Sequence, residues 1–205
     1  MKTIPIQKTI LATLAFAFSN WKKLLEVSIF PLLLALPFLP ELMNLLSMAK
    51  PGSEIPDNIN FHVTYLLMFI YASMAMLINV YRLVILGNNS VNRLGFVLPN
   101  LRFGRFFLLA ILLGVGQAIT LASIYLLPFY LLLVPLTLNL VSIANDVPYK
   151  RIEVTWQSRL NIFLINFIGP FILISLIGLI ENDYLDSFFS FISIYWTSIS
   201  IALCY

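Results

Sequence analysis

The sequence predicts an all-α membrane protein: a polytopic helix bundle of about six transmembrane helices, arranged as three hairpins with short cytoplasmic interfacial helices and a cytoplasmic N-terminus. Hydrophobic residues make up 60% of the 205 residues and charged residues only 10%, whereas a soluble domain carries about 25% charged residues. When six spans are drawn, eleven of the twelve lysines and arginines fall on one side, in line with the excess of positive charge in cytoplasmic loops. We therefore expect residues 1–205 to form one transmembrane domain.

Residues 1–23 contain an apolar stretch that precedes the first predicted span. Apolar residues recur at helical spacing from Ile6 to Ala17, which predicts a helix lying in the cytoplasmic interface. Trp21, Lys22 and Lys23 follow, and an aromatic ring beside two cations is typical of an anchor at the lipid headgroups. Two alternatives stay open: a helix packed against its own bundle, and a signal peptide cleaved after an Ala-Phe-Ala sequence.

Six apolar segments are long enough to be spans, since a helix needs about 20 apolar residues to cross a hydrocarbon core of about 30 Å. The predicted spans are residues 24–46, 61–86, 106–124, 128–144, 160–180 and 187–205. The first contains Pro31, Pro37 and Pro40, so we expect kinks in it. The sequence leaves open whether this segment crosses the bilayer or re-enters.

The third and fourth spans come from one run of 39 residues without a charged side chain, from Phe106 to Ala144. As a single helix this run would be about 58 Å long, which is twice the thickness of the hydrocarbon core. Two spans joined by a tight turn fit better, and the interfacial preference of Tyr125, together with Pro128, places the turn between these two residues. A soluble core is the other reading, but it would need polar elements around the run, and the chain has none.

Three stretches of the chain share one layout and suggest an internal repeat. Each starts as a short helix on the cytoplasmic face, turns at an aromatic and basic corner, and enters an outward span that a returning span follows. The basic residues at the corners are Lys22 and Lys23, Arg102 and Arg105, and Arg159. The topology itself imposes part of this likeness, so a true repeat stays open.

Four arginines are predicted to contact lipid phosphates or another anion: Arg82, Arg102, Arg105 and Arg159. A cation near an anionic inner leaflet gains about 1 kcal/mol, which makes the lipids of that leaflet the first expected partner. Arg82 lies inside a predicted span, four residues before its end, where a buried cation indicates an anionic ligand. The alternative is that its long stem lets the guanidinium reach the cytoplasmic headgroups.

Four amide side chains fall inside predicted spans: Asn79, Gln117, Asn139 and Asn166. They either line a path for a solute or form hydrogen bonds between helices. Near the start of the fifth span, Trp156 is predicted to be a second interfacial anchor.

No motif in the sequence names a catalytic, cofactor-binding or metal site. His62 is the only histidine and Cys204 the only cysteine. The imidazole of His62 with the two nearby carboxylates, Glu54 and Asp57, offers too few ligands for a zinc site. Walker, HExxH and GxGxxG patterns are absent. We therefore expect no catalytic residue, no cofactor and no metal, and a net charge of only +3 argues against a nucleic-acid partner.

Two stretches carry a resemblance to a known group of proteins. A segment of small uncharacterised polytopic inner-membrane proteins of proteobacteria resembles the stretch LVPLTLNLVSIANDVPYKRIEVTWQSRLNIF. The end of an earlier span in these proteins is similar to the stretch NVYRLVILGN. The hairpin layout also resembles the membrane domain attached to some bacterial glycerophosphodiester phosphodiesterases, although the ligands of their catalytic domain are absent. The resemblance implies a fold and a location in the bacterial inner membrane, and no activity.

The sequence favours a non-enzymatic integral membrane protein: a scaffold, an accessory subunit or a lipid-contacting protein, with another membrane protein or a second copy of the chain as a partner. The alternative is a small transporter or permease subunit that works as an oligomer, because broken helices build binding sites near the midplane. A transporter would bring Gln117, Asn139 and Asn166 to one water-accessible cavity. A scaffold would pair these amides between packed helices.

Overall fold

The computed structural model describes residues 3–35, 59–147, 152–170, 172, 175 and 183–205. Every regular element in this part of the chain is helical, which confirms the all-α class. The described α-helices are α1 (Ile6–Ser19), α2 (Trp21–Ala35), α3 (Ile59–Leu86), α4 (Leu101–Leu121), α5 (Leu127–Ala144), α6 (Trp156–Phe163) and α7 (Asp183–Cys204). A π-helical segment, Leu164–Ile168, continues α6.

Two of the described helices are long and apolar enough to cross a membrane, judged by length and composition: Ile59–Leu86 and Leu101–Thr120. The first is α3 and coincides with the predicted span 61–86. The second belongs to α4, which begins before the predicted start at residue 106. The later parts of the predicted first and fifth spans, including Pro37 and Pro40, lie outside the described residues.

The uncharged run from Phe106 to Ala144 belongs to two helices, as predicted. α4 ends at Leu121, a 3₁₀ turn follows at Ile124–Leu126, and α5 begins with Pro128 in its first turn. Proline suits this position because the N–H it lacks would have no partner there. α4 and α5 pack against each other, so the run forms a helical hairpin.

The first helix is shorter than the predicted interfacial helix of residues 1–23. It ends at Ser19 because Asn20 caps it: the Asn20 backbone N–H and side-chain amide both donate to the Phe16 carbonyl, at 3.0 and 3.1 Å. The predicted corner at Trp21 therefore starts α2 and does not end α1.

α1 packs against α7, as the alternative of a helix held by its own bundle requires. Thr9 and Thr13 are 8% and 1% exposed, whereas Leu11 and Phe18 are 66% and 75% exposed. Each threonine hydroxyl donates to the carbonyl four residues earlier, which satisfies it inside the contact. The two threonines of α1 thus face the protein, and large apolar side chains such as Leu11 and Phe18 face outward.

The segment before α1 is tied to α6 by two hydrogen bonds. The Ile4 N–H donates to the Ser158 hydroxyl at 3.2 Å, and the Asn161 amide donates to the Ile4 carbonyl at 2.7 Å. These partners are more than 150 residues apart in the chain, at 154 and 157 positions. The two hydrogen bonds thus join the N-terminal segment to the third predicted hairpin.

Gly95 is the point at which α2, α3 and the loop before α4 meet. α2 continues through Pro31, which has no N–H to give the Val27 carbonyl its usual helical hydrogen bond. A Cβ atom on Gly95 would lie 1.6 Å from that carbonyl oxygen, and the residue has φ +75°, a value that favours glycine. From α3, the Asn79 amide donates to the Gly95 carbonyl at 2.6 Å.

The chain before α4 and α6 differs from the predicted interfacial helices. Before α4 it forms two 3₁₀ turns, Asn88–Ser90 and Arg93–Gly95, so the short helix predicted there is wrong. Before α6, residues 152–155 are not helical. Asn100 and Thr155 are the N-cap residues of α4 and α6. The side-chain oxygen of each accepts a hydrogen bond from the backbone N–H of the residue three positions later.

α4 has a buried inner face and an exposed outer face. Phe106, Leu113 and Thr120, seven residues apart, are 0%, 2% and 6% exposed and turn toward α3, α5 and α7. The outer face carries large apolar side chains that are 44 to 69% exposed: Leu108, Ile111, Leu112, Val115 and Ile119. This apolar outer face is a contiguous stripe, because its members recur at helical spacing.

Candidate functional site

A cavity of about 390 Å³ lies between α3, α4, α5, the π-helical segment and α7; we call it the central cavity. Among the described residues, no charged side chain lines it. Within the described ranges no cluster of histidine, cysteine, aspartate and glutamate could hold a metal ion. The polar residues that line the cavity are Tyr81, Gln117, Tyr130, Thr137, Asn166, Thr197 and Ser198.

The π-helical segment on one wall of the central cavity has a carbonyl that its own helix does not satisfy. The Gly169 N–H donates to the Leu164 carbonyl, five residues back. In the same register the Ile165 carbonyl would need the N–H of Pro170, and proline has none. The indole N–H of Trp196 in α7 donates to the Ile165 carbonyl at 3.0 Å, and so provides the missing hydrogen bond.

Trp196→Phe is expected to lower the free energy of unfolding by about 1–2 kcal/mol, because it keeps an aromatic ring and leaves the Ile165 carbonyl without a donor. Trp21→Phe is the matched control, since Trp21 is 54% exposed, and we expect a change below about 0.5 kcal/mol. Unfolding followed by circular dichroism in detergent measures both. Equal losses in the two variants would contradict this role of the indole.

The central cavity brings together two of the three amides on which the transporter alternative depends. Asn166 accepts a hydrogen bond from the Ser200 hydroxyl of α7 and donates to the Ile162 carbonyl at 3.0 Å. Gln117 lines the cavity from α4, and its side chain forms no hydrogen bond with the described residues. Asn139 does not line the cavity; it is 4% exposed, and its Oδ1 has no partner among the described residues.

Sequence reasoning missed the two tyrosines of the cavity. Tyr81 is 2% exposed, although it stands between Asn79 and Arg82, which the sequence singles out. Tyr130 and Thr137 line the same wall. Their spacing of seven residues puts them on one face of α5, a signal that could have indicated a shared polar surface.

The four predicted anion-binding arginines do not form one site. Arg82 and Arg102 both contact the carboxylate of Asp146, and Arg82 Nη1 also donates to the Ala144 carbonyl at 3.4 Å. We call these three charged residues the arginine–aspartate cluster. It closes the C-terminal end of α5, where free carbonyls favour a cation. Arg105 is exposed, so its guanidinium stays available to an outside anion.

Arg159 lies away from the arginine–aspartate cluster. Its Nη1 donates to the Leu131 carbonyl at 3.4 Å and its Nε to the Val154 carbonyl at 3.2 Å. The guanidinium also lies 5.0 Å from the centre of the Trp156 ring, a cation–π distance. Leu131 and Ala144, the carbonyl partners of Arg159 and Arg82, are 13 residues apart in α5, or about 20 Å along the axis. The two guanidinium groups therefore lie at different levels, whereas the sequence predicts that both lie on one cytoplasmic face.

Three of the four predicted interfacial anchors, Trp21, Lys22 and Trp156, are exposed, and Lys23 is half-buried. Trp21 and Trp156 are 54% and 60% exposed. The Lys22 amine lies 5.7 Å from the Trp21 ring centre, while Lys23 forms an ion pair with Glu26 at 3.0 Å. An exposed aromatic ring beside a cation is the arrangement that an anchor at the headgroups needs, and Trp21 with Lys22 has it. Trp156 lies beside Arg159, away from the level of the arginine–aspartate cluster.

Comparison of the chain with protein-family models, with curated proteins and with solved structures gives no match. The resemblance to small inner-membrane proteins therefore stays a prediction. The function of the chain has to be inferred from its own residues and their arrangement.

Proposed function

We propose that this chain is a non-enzymatic integral membrane protein, a scaffold or accessory subunit whose outer surface contacts lipid. One observation carries the proposal: many large apolar side chains are exposed on the outer surface, while hydroxyl and amide side chains are buried among the apolar residues of the core. The buried polar residues are Thr9, Thr13, Ser28, Asn79, Thr120, Asn139, Ser142, Asn145, Ser158, Ser198 and Ser200.

The exposed apolar side chains fit lipid better than water. In water the apolar outer face of α4 would cost about 25 cal/mol for each Å² left uncovered, and a patch of this kind on a soluble protein marks a contact surface. In hydrocarbon the same face costs nothing. Small hydroxyl residues are typical of helix contacts in membranes, because they allow close approach and form hydrogen bonds. Thr13 and Ser28 show this pattern, since each hydroxyl donates to a carbonyl of its own helix at 2.8 Å.

The proposal includes six spans in three hairpins, a cytoplasmic N-terminus and the bacterial inner membrane. The lengths of α3 and α4 and the packing of α2 on α3 and of α4 on α5 support it. The exposed Lys22 and Arg105 would contact anionic headgroups of the inner leaflet. Arg159 would lie below that surface, where two carbonyls and the Trp156 ring offset the cost of its charge.

Cysteine labelling tests the orientation. Cys204 is the only cysteine, so Cys204→Ser gives a background without thiols. Leu98, before α4, and Tyr125, after it, are 65% and 87% exposed. In intact bacterial cells we expect a membrane-impermeant maleimide to label Tyr125→Cys, and to label Leu98→Cys only after the inner membrane is permeabilised.

Labelling of both positions from the same side, or recovery of the protein in the soluble fraction after carbonate extraction, would overturn the proposal. The Cys204→Ser parent, treated in the same way, gives the background signal.

The central cavity favours the second candidate, an oligomeric transporter, because Gln117 and Asn166 meet there. Purification in lipid nanodiscs with mass spectrometry of bound molecules separates the two functions. A stoichiometric protein partner supports the scaffold. A homo-oligomer that retains a water-soluble small molecule supports the transporter.

A further inference from the structure

We propose that the central cavity is a binding site for an uncharged, mainly apolar molecule that carries a carbonyl oxygen. This inference goes beyond a scaffolding role and does not depend on the orientation of the chain in a membrane. It rests on the hydrogen-bonding groups of the lining and on the open space beside Gly114.

The lining excludes a charged ligand. Its polar groups are hydroxyls and amides, and its other members are apolar or glycine. An ion placed there would lose its hydration without gaining an opposite charge, which costs several kcal/mol. A neutral molecule with a large apolar part would instead bury that part against side chains such as Met74, Leu113 and Ile201.

Three hydroxyl groups of the lining already donate their hydrogen atoms to backbone carbonyls. Thr137 donates to the Leu133 carbonyl at 3.2 Å. Thr197 and Ser198 donate to carbonyls of α7 at 2.9 and 2.6 Å. These hydroxyls can therefore only accept from a ligand.

Asn166 keeps a second amide hydrogen besides the one that it donates to Ile162. Three further side chains have unused donors: Tyr81, Tyr130 and Gln117. None of these side chains forms a hydrogen bond with the described residues. Tyr81 is 2% exposed, and its ring centre lies 6.1 Å from that of Phe106, which restrains the ring. The Tyr81 hydroxyl is not among the fully enclosed polar atoms without a partner, so an acceptor inside the cavity can reach it. A carbonyl oxygen is an uncharged acceptor that can take two hydrogen bonds.

The open space of the cavity reaches the backbone of α4 at Gly114. A Cβ atom at Gly114 would meet nothing within 4 Å, whereas one at Gly116 would lie 3.2 Å from a Leu133 methyl group. A volume of about 390 Å³ is in the range of small-molecule sites. Gly114 is exposed and lines the cavity, so a larger side chain there has room without displacing the walls and should narrow the site from this edge.

Binding of 2-undecanone, labelled with ¹³C at the carbonyl, tests the proposal on the full chain purified in detergent. Infrared spectra and ¹³C chemical shifts report hydrogen bonding of the carbonyl. We expect saturable binding with one ketone per chain. Undecane and undecanoate should compete at least tenfold more weakly, because the first has no acceptor and the second is charged.

Variants identify the site. Tyr81→Phe and Gln117→Leu should each weaken ketone binding about fivefold to tenfold, which corresponds to the loss of one hydrogen bond. Tyr125→Phe, at an exposed tyrosine outside the cavity, should leave binding unchanged. Gly114→Leu should abolish saturable binding, whereas Gly104→Leu, at a glycine whose Cβ position is equally open, should retain it.

Three results would overturn the proposal: equal competition by undecane, no saturable signal from the ketone, or full binding by a folded Gly114→Leu variant. Mass spectrometry of an organic extract then distinguishes two sources of the natural ligand. Enrichment of an acyl ester lipid in wild type over Gly114→Leu indicates a lipid carbonyl, and enrichment of another neutral carbonyl compound indicates a free small molecule. Enrichment of neither would contradict the site.

Discussion

Gly95→Ala is expected to lower the free energy of unfolding by about 3–5 kcal/mol, or to prevent folding. The added methyl group would lie 1.6 Å from the Val27 carbonyl oxygen, which belongs to the backbone of α2 and cannot rotate away. The loop would have to move, and this would break the 2.6 Å hydrogen bond from Asn79 to the Gly95 carbonyl. Unfolding in detergent, followed by circular dichroism, measures the loss.

Gly87→Ala is the matched control for this prediction. Gly87 also has a positive φ, +81°, but a Cβ atom there would meet nothing within 4 Å. Its cost is therefore limited to the backbone conformation, about 1–3 kcal/mol. If the free energy of unfolding fell equally in the two alanine variants, the close approach of Gly95 to α2 would contribute nothing to the cost of the substitution.

Arg82→Met is expected to lower the free energy of unfolding by about 2–4 kcal/mol. The substitution keeps much of the apolar stem and removes all donors. The Ser90 carbonyl, which accepts from Arg82 Nε at 3.1 Å, and the Ala144 carbonyl would both lose a partner. Asp146 would retain only Arg102. Because the Arg82 side chain is 20% exposed, water would replace its hydrogen bonds only in part.

Two further substitutions define the role of Arg82. Arg105→Met removes an exposed arginine and should change stability by less than about 0.5 kcal/mol. Arg82→Lys keeps the charge but cannot span the same acceptors with a planar fork, so we expect an intermediate loss. The same detergent unfolding assay is used. A loss in Arg82→Met as small as in Arg105→Met would show that the guanidinium only reaches toward headgroups.

Local signals in the sequence account for the parts of the fold that were predicted. The uncharged run had to divide because it is too long for one span, and Pro128 marks the start of α5 within a few residues. The end of α1 was missed, because Asn20 caps the helix through a side-chain hydrogen bond that an apolar pattern does not reveal. Periodicity groups residues on one face, but it does not say which face turns inward. This is why the buried side of α1 carries Thr9 and Thr13.

Contacts between distant parts of the chain explain what the sequence could not supply. Asp146 is 64 residues from Arg82 and 44 from Arg102, so a scan for basic corners finds the arginines without their shared partner. The same limit applies to the central cavity. Gln117 and Asn166 were predicted as intramembrane polar groups. The role of the Tyr81 hydroxyl could not be predicted, because it depends on the cavity that the packed helices form beside it.

The hydrogen bonds that join Ile4 to α6 have a consequence for biosynthesis. The ribosome makes Ile4 about 150 residues before Ser158, and α7, on which α1 packs, follows later still. Before α7 is made, α1 can contact α2 but lacks the helix on which it mainly packs, and Thr9 and Thr13 stay uncovered until α7 has been inserted. Docking of the N-terminal segment is therefore a late event that follows the insertion of α7, and a nascent chain stalled before α7 would present that unprotected surface to proteolytic quality control.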